Sequence, residues 1–141
     1  MPTSPNNAWN QKVIEEFRAN GGKVSGMTAG ASLPMVLLTT TGAKSGQQRV
    51  SPLVCQQDSD RLFICAANGG MPTNPDWYHN IIAHPEVTVE LGNQKFQAKA
   101  IVITGKERDE IYTKQARHMA NFAEYQQQTT RVIPVVELVH Q

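Results

Sequence analysis

The chain has 141 residues, of which 40% are hydrophobic and 18% charged, a composition typical of one globular domain and not of a disordered chain. Thirteen basic residues against twelve acidic ones give a formal net charge of +1, so no overall field would attract nucleic acid or an anionic membrane. The polar start and the lack of any apolar stretch of roughly 20 residues predict a cytoplasmic protein without stable membrane insertion.

The N-terminal part of the chain predicts one short helix followed by a connection. Four apolar residues recur at helical spacing within residues 7–20: Trp9, Val13, Ile14 and Phe17. Gly21-Gly22 follows as a left-handed stop, so the helix ends there. Residues 23–33 are rich in Gly, Ser, Ala and Thr and have no periodicity, which predicts a mobile connection and a candidate lid.

The next residues predict antiparallel hairpins. Residues 35–40 form a nearly continuous apolar and β-branched run, which is typical of a strand buried on both faces. A turn bracketed by Gly42 and Gly46 leads into a strand over 49–57, and a turn over 58–60 leads into a strand over 61–66. We therefore expect two successive hairpins in this region.

The two cysteines have no CxxC spacing and no histidine at ligand spacing, so we expect no metal site. If the strands around residues 58–60 pair as a hairpin, Cys55 lies opposite Phe63 and Cys65 lies opposite Leu53. This register separates the two sulfurs. Free, buried thiols are therefore expected instead of a disulfide.

The second half of the chain mixes helices with short strands. A helix with Asn74 as N-cap and Pro75 in its first turn ends near His84, and a capping box of Thr104 and Glu107 opens a later helix. The remaining elements are strands over 87–91, 96–102 and 132–139 and helices up to 118 and over 121–130.

Six antiparallel strands with helices inserted between the hairpins predict a small barrel, because closure removes the exposed edges of short strands. The expected fold class is mainly β with inserted helices (α+β). We divide the chain into an N-terminal helix with its connection, 1–33, and a barrel that binds a cofactor, 34–141, within one folded domain.

The loop over residues 41–49, TGAKSGQQR, has the composition of an anion-binding site. Its glycines let backbone N–H groups approach an oxyanion, Ser45 can donate a hydrogen bond, and Lys44 and Arg49 offer charge-assisted bonds of about 1.5–3 kcal/mol each. The spacing is neither that of a Walker loop nor that of a dinucleotide fingerprint. Taken alone, the loop is explained equally well as a solvated hairpin turn.

A second segment follows Gly69-Gly70 and carries two aromatic rings and two amides on a short helix, NPDWYHN over 74–80. Asp76 already puts a carboxylate at the positive end of that helix, so we assign a phosphate to the 41–49 loop. Trp77 and Tyr78 are adjacent and cannot share a helix face, and Trp77 is the one expected in the core. The histidines are scattered, so a cofactor-driven reaction is favoured over a hydrolytic triad.

Three stretches together resemble the deazaflavin-dependent nitroreductase family: LLTTTGAKSGQQRVSPL, AANGGMPTNPDWYHNIIAHPEVTVE and FAEYQQQTTRVIPVVEL. The paired motifs TTGxKSGxxR and NPxWYxN keep their order and spacing. The resemblance implies a split β-barrel, similar to FMN-binding barrels, that binds coenzyme F420, an 8-hydroxy-5-deazaflavin with a phosphate and an oligoglutamate tail.

The resemblance also implies which residues contact the cofactor. The phosphate and tail contacts fall on Ala43, Lys44, Ser45, Arg49, Val50 and Ser51. The deazaflavin contacts fall on Cys65, Ala66, Ala67, Asn68, Asp76, Trp77, Tyr78, His79 and Asn80. Nitroreductase members carry a Ser-Lys pair where this chain has Ala67-Asn68. They also carry several tyrosines where this chain keeps Tyr125 and has Phe122 at another such position, which we include among the candidate cofactor contacts. Nitro-group activation is therefore the activity least supported.

We therefore expect an F420H2-dependent reductase that passes a hydride to an electron-poor small molecule such as an enone, an unsaturated lactone, a quinone or a nitroaromatic. Tyr125 is the candidate proton donor or substrate-orienting residue. Two alternatives remain at this point: an FMN-dependent oxidoreductase of the same barrel type, and a non-catalytic F420 carrier. A monomer and a homodimer are both compatible with the sequence, and the N-terminal helix is a lid, a partner-docking element or a membrane-surface element.

Overall fold

The computed structural model describes residues 7–22 and 34–141, with the side chains of 7–10 left out. The candidate lid over 23–33 and the side chain of Trp9 therefore lie outside the described residues. Seven strands occur in the described part of the chain: β1 (Met35–Thr41), β2 (Gln48–Val54), β3 (Gln56–Asp58), β4 (Arg61–Cys65), β5 (Glu86–Leu91), β6 (Gln94–Ile103) and β7 (Val135–His140). Its helices are α1 (Asn7–Ala19), α2 (Asp76–Ala83), α3 (Gly105–His118) and α4 (Asn121–Gln128), with a short 3-10 turn over Asn68–Gly70.

The strands form one antiparallel sheet in the order β2-β1-β5-β6-β7-β4-β3. Its two edge strands, β2 and β3, are consecutive in the chain, and Cys55 alone separates them. The two edges must therefore meet at this residue, so the sheet curls into a half-barrel. The predicted fold class, mainly β with inserted helices, is confirmed.

The concave side of the sheet encloses the barrel core. Alternate residues along each strand point inward, as the two-residue period of a strand requires. Trp77 and Ile81 of α2 complete this core at one side. Its strand residues are Val36, Leu38, Leu62, Ile64, Val87, Val89, Ala98, Ala100, Val136 and Leu138, with Cys55 at the junction of the edges.

The outer face of β1 is covered by α1, which explains why this strand is apolar on both faces. Val13, Ile14 and Phe17 pack against Met35 and Leu37, and all five side chains are buried. The amphipathic period predicted for α1 thus serves to cover the sheet.

An ion pair adds a second attachment for α1. The guanidinium of Arg18 donates two hydrogen bonds to the carboxylate of Glu90 on β5, at 3.0 and 2.9 Å. None of the helices in the described ranges is long and apolar enough to cross a membrane.

A second apolar cluster, the helix-side core, lies between α3, α4 and the outer face of β4 and β7. Its buried members are Phe63, Ala67, Ile111, Tyr112, Phe122, Ile133 and Val135. The hydroxyl of Tyr112 donates to the carbonyl oxygen of Phe122 at 2.6 Å, which joins the two helices.

The predicted strand over 49–57 is two strands, and this raises the number of strands in the described residues from the expected six to seven. β2 pairs with β1 at one edge of the sheet, whereas β3 pairs with β4 at the other edge. The turn at Ser59 is also one residue shorter than expected, so Phe63 faces Gln56 and not Cys55. The expectation of free thiols is nevertheless confirmed, because both cysteines are free.

The starts of two helices also differ from the prediction. Thr104 is the N-cap of α3, but its side chain makes no capping hydrogen bond, and Glu107 pairs with Arg61 instead, so the capping box is absent. At α2 the N-cap is Pro75 and not Asn74. In both cases the side chain expected to cap its own helix binds an arginine distant in sequence: Glu107 pairs with Arg61, and Asn74 accepts a hydrogen bond from Arg131.

Phe17→Ala tests the attachment of α1. Phe17 is 1% exposed, so the substitution leaves a cavity between α1 and β1 and should lower the free energy of unfolding by about 3–5 kcal/mol, measured by denaturant titration. Ile82→Ala, at a side chain that is 57% exposed, is the control and should change it by less than about 0.5 kcal/mol. Equal effects of the two substitutions would contradict the packing of α1 described above.

Candidate active site

A cavity of about 770 Å³ lies between the β1–β2 turn and α2. Two segments separated by about thirty residues in the chain thus form its opposite walls. The lining residues are Gly42, Ala43, Lys44, Ser45, Arg49, Val50, Ser51, Asp76, Trp77, His79 and Asn80. Ten of the seventeen residues proposed from the sequence as site residues are among them.

The 41–49 loop is a tight turn held by its own backbone. The N–H of Gly42 donates to the carbonyl of Gln47 at 2.7 Å, and the N–H of Gly46 donates to the carbonyl of Gly42 at 3.0 Å. Gly46 has φ +71°, which favours glycine, and a Cβ on Gly42 would lie 2.5 Å from the Ser45 hydroxyl. The glycines are therefore required by the turn itself.

Asn80 joins the loop to α2. Its side-chain amide donates to the hydroxyl of Thr40 at 3.1 Å and accepts a hydrogen bond from the N–H of Ala43 at 2.9 Å. Both Asn80 and Thr40 are buried, so the bond between them is shielded from water, whereas the bond to Ala43 is partly buried. Asn80, the last residue of the NPxWYxN motif, therefore fixes the position of the TTGxKSGxxR motif.

The chemistry of the cavity wall fits a phosphorylated, planar ligand. Lys44 and Arg49 bring positive charge, and Ser45 and Ser51 bring hydroxyls, against one carboxylate, that of Asp76. Trp77 offers an apolar surface and also belongs to the barrel core, as expected for it. This lining suits the phosphate, the tail and the planar ring that the family resemblance implies.

The other seven proposed residues do not line this cavity. Ala66 is buried in the barrel core and Tyr78 packs against it. Ala67 and Phe122 are buried in the helix-side core, with Cys65 and Tyr125 partly buried against it. Asn68 is exposed.

The turn Asn68–Gly70 brings part of this second group together. Gly70 has φ +80°, and a Cβ there would lie 3.1 Å from both the Cα and the carbonyl oxygen of Tyr125. A glycine is therefore needed where the turn passes under α4. The predicted ring-binding residues at the end of β4 and the candidate proton donor are neighbours in space.

The phenol of Tyr125 is oriented by its own helix. The side-chain amide of Asn121 donates to the Tyr125 hydroxyl oxygen at 2.9 Å, and the Phe122 ring packs edge-on against the Tyr125 ring with centroids 5.4 Å apart. Because Asn121 occupies the oxygen as a donor, the phenolic hydrogen is left available for another acceptor.

The two cysteines are not equipped as nucleophiles. Burial raises the pKa of the Cys55 thiol to about 12 and that of the Cys65 thiol to about 12. Both remain protonated near neutral pH, and a thiol is a much weaker nucleophile than a thiolate. No group of three or more potential metal ligands occurs in the part of the chain that the structure describes.

Arg131 is a site-related residue that the sequence did not indicate. Its guanidinium donates to oxygen atoms of residues 66, 67, 71 and 74, on the segment that follows β4. These partners lie 57 to 65 residues away in the chain, so no local pattern could have revealed them. The only local feature in the sequence is that Arg131 directly precedes the mostly apolar residues 132–139.

Asn80→Ala tests the bridge between the two walls. The substitution removes the acceptor of the Ala43 N–H and the donor to Thr40, so we expect the free energy of unfolding to fall by about 1–3 kcal/mol and the Ala43 amide to exchange faster with solvent. Hydrogen exchange followed by mass spectrometry measures the second effect. Gln127→Ala, an exposed amide on α4, is the control. An unchanged Ala43 exchange rate would show that Asn80 does not hold the loop.

Comparison with known proteins supports the cofactor suggested by this geometry. An F420H(2)-dependent quinone reductase of Mycobacterium tuberculosis is 36% identical over 125 residues, which cover 86% of this chain and 83% of the relative. The structure of an F420-H2 dependent reductase (FDR-A) is 38% identical, with a TM-score of 0.69, and covers 74% of this chain and 93% of that one.

A further solved structure, described as a domain-swapped dimer, is 34% identical, has a TM-score of 0.70 and covers 96% of this chain and 99% of its own. These similarities confirm the split β-barrel. The family model for F420H(2)-dependent quinone reductase matches residues 9–140. A match over nearly the whole chain, on a fold and a cavity that suit the cofactor, shows that this protein belongs to the F420H(2)-dependent quinone reductase family, and is thus an oxidoreductase that uses coenzyme F420.

Proposed function

We propose that this enzyme reduces quinone-like molecules, with the tail of F420 held by the 41–49 loop and the deazaflavin ring contacted from the Asn68–Gly70 side. The observation that carries the proposal is the cavity of about 770 Å³ between the basic loop and α2. Its volume is within the range of about 300–1,000 Å³ that is usual for cofactor and ligand sites.

The tail assignment rests on charge. Lys44 is exposed, which suits contact with carboxylates that extend into solvent, whereas Arg49 is half-buried and suits the phosphate. Asp76 stands at the N-terminal end of α2 and would repel an anion from that helix end. The phosphate therefore has its favourable partners on the loop side of the cavity.

The ring assignment rests on shape and on the family resemblance. Trp77 and Val50 give the cavity apolar surface, and the turn Asn68–Gly70 presents backbone without bulky side chains. Ala67 is buried, and its carbonyl already accepts hydrogen bonds from Arg131 and from the N–H of Gly70. A flat ring with polar edges needs such a combination of apolar wall and backbone hydrogen-bonding groups.

The reaction that we propose is a two-electron reduction. Coenzyme F420, when bound in its reduced form, supplies a hydride from C5 of its deazaflavin. A quinone that accepts this hydride becomes a hydroquinone anion, and one proton completes the product. The residues of the site hold donor and acceptor together, since orientation supplies a large part of such a rate enhancement.

We assign Tyr125 as the residue that donates this proton. Its hydroxyl oxygen accepts from Asn121, so its own hydrogen can be donated to the substrate oxygen. Among the acceptors expected from the sequence, quinones have the support of the family and of the M. tuberculosis relative. Enones and unsaturated lactones come second, and nitroaromatics last because Ala67, Asn68 and Phe122 replace the residues of nitroreductases.

The cellular setting is also part of the proposal. We assign the enzyme to the cytoplasm because both of its cysteines are free, as in proteins of a reducing compartment. The expected small-molecule substrate needs no macromolecular partner, and a net charge of +1 gives no overall electrostatic attraction to nucleic acid.

Lys44→Ala and Arg49→Ala test the tail assignment. Each variant should lose about tenfold or more in affinity for F420, and much less in affinity for a deazaflavin that lacks the phosphate and oligoglutamate, because each removes a charge-assisted bond to the tail. Fluorescence titration measures both affinities. Lys95→Ala, at an exposed lysine of β6, is the matched control.

Three results would contradict this proposal or part of it. Equal losses for the two deazaflavins would show that the loop does not hold the tail. Tight binding of FMN with no response to F420 would favour the FMN-dependent alternative. Binding of F420 without oxidation of its reduced form by any quinone, enone or nitroaromatic would favour a carrier.

Tyr125→Phe tests the proton assignment. We expect kcat for quinone reduction to fall about 100-fold or more, with little change in affinity for F420, because only the proton donor is removed. Tyr112→Phe is the matched control: it removes a buried hydroxyl from the neighbouring helix and should lower stability while keeping kcat. Steady-state kinetics over a range of pH measure the difference, and an unchanged kcat for Tyr125→Phe would exclude this tyrosine as the donor.

A further inference from the structure

Arg131, between α4 and β7, donates four hydrogen bonds to one distant segment, residues 66–74. The acceptors are the Ala66 carbonyl (Nη1, 3.0 Å), the Ala67 carbonyl (Nη2, 2.6 Å), the Met71 carbonyl (Nε, 3.0 Å) and the Asn74 side-chain oxygen (Nη1, 2.8 Å). Three of the four are backbone carbonyls. The arginine therefore holds the course of the 66–74 segment and not only one side chain of it.

The 66–74 segment needs such support because its backbone is unusual. Asn68, Gly69 and Gly70 have φ of +50°, +61° and +80° in succession. Gly69 and Gly70 adopt this region without strain, whereas Asn68 is an L-residue, for which it is uncommon. Within the segment, the N–H groups of Gly70 and Met71 donate to the carbonyls of Ala67 and Asn68, and the side-chain amide of Asn68 donates to the carbonyl of Thr73 at 2.9 Å. These bonds join residues of the segment to one another, and Arg131 adds four bonds from outside it.

The arginine is itself fixed to α4. Gln126 of that helix donates from its side chain to the carbonyl of Arg131 at 2.8 Å, and the N–H of Arg131 donates to the hydroxyl of Thr129 at 3.3 Å. Partial burial lowers the pKa of the Arg131 guanidinium, and an arginine still remains charged at neutral pH. Its positive charge is thus stabilised by hydrogen bonds to neutral oxygen atoms of the 66–74 segment, which compensate for its partial removal from water.

We infer that Arg131 is a positioning residue for the ring side of the cofactor site: it fixes the 66–74 segment, which would contact the deazaflavin, relative to Tyr125 on α4. This rests on the proposed function, which assigns the ring contacts to the end of β4 and the turn Asn68–Gly70. The tail is held elsewhere, by the 41–49 loop. Loss of Arg131 therefore affects ring binding and leaves tail binding intact.

The test compares F420 with the deazaflavin that lacks phosphate and tail. Arg131→Ala should lose affinity for both by the same factor, about tenfold or more, because the shared ring is what it positions. Lys44→Ala should lose affinity mainly for F420. Arg61→Ala is the matched control, since its guanidinium also makes several bonds, to Glu137 and Glu107, but at the opposite end of β4.

A conservative variant separates positioning from charge. Arg131→Lys keeps the charge but can reach only part of the four acceptors, so it should resemble Arg131→Ala in ring affinity. It also serves as the second variant where Arg131→Ala fails to fold. Asn74→Ala, which removes one acceptor and keeps the arginine, should give a smaller loss.

A readout that needs no cofactor accompanies the titrations. Hydrogen exchange of the Gly70 and Met71 amides should accelerate about tenfold or more in both Arg131 variants and stay unchanged in Arg61→Ala, because Arg131 is the one of these two arginines that binds the 66–74 segment. A structural role spread over the whole domain would accelerate exchange throughout the sheet instead.

The outcomes distinguish the inference from the proposed function. If the wild-type protein binds neither deazaflavin, the proposed function fails, and the exchange data still decide whether Arg131 holds the segment. If the wild type binds both, the inference is overturned by wild-type ring affinity in Arg131→Lys, by a loss restricted to the tail-bearing cofactor, or by an equal loss in Arg61→Ala.

Discussion

The one-residue link between β2 and β3 is the constraint on which the rest of the structure depends. These strands are the two edges of the sheet, and Cys55 alone joins them, so the sheet has to curl until its edges meet. Curling encloses the barrel core on one face and leaves the outer face to α1, α3 and α4.

The candidate site is then held together by side chains that bind backbone. Asn80 accepts from the Ala43 N–H and so ties the basic loop to α2, while Arg131 ties the 66–74 segment to α4. Both are polar groups at least partly removed from water, and both connect segments distant in sequence. Rigid placement of a cofactor by such bonds is what a hydride-transfer enzyme needs, because the cofactor carries the chemistry and the protein carries the geometry.

The contrast between the two halves of the site has a simple physical origin. A tail that carries phosphate and carboxylates can be recognised by charged side chains at the surface, which are conspicuous in a sequence. A planar ring is recognised by apolar walls and backbone groups, which any sequence contains. This explains why the composition of the 41–49 loop already points to an anion, whereas the proposed ring side rests on the family resemblance and on the close approach of Gly70 to Tyr125.

The sequence by itself determined the elements and the chemistry that is local: the apolar strand β1, the amphipathic face of α1, the basic loop and the NPDWYHN helix are all set by neighbouring residues. Tertiary structure alone decided the pairing of β3 with β4, the recruitment of Glu107 by Arg61 in place of a capping box, and the four bonds of Arg131. Their partners lie 46 to 76 residues away for the two arginines, and no local pattern encodes such distances. A side chain that can satisfy either a nearby amide or a distant ion takes the partner that the closed barrel brings to it.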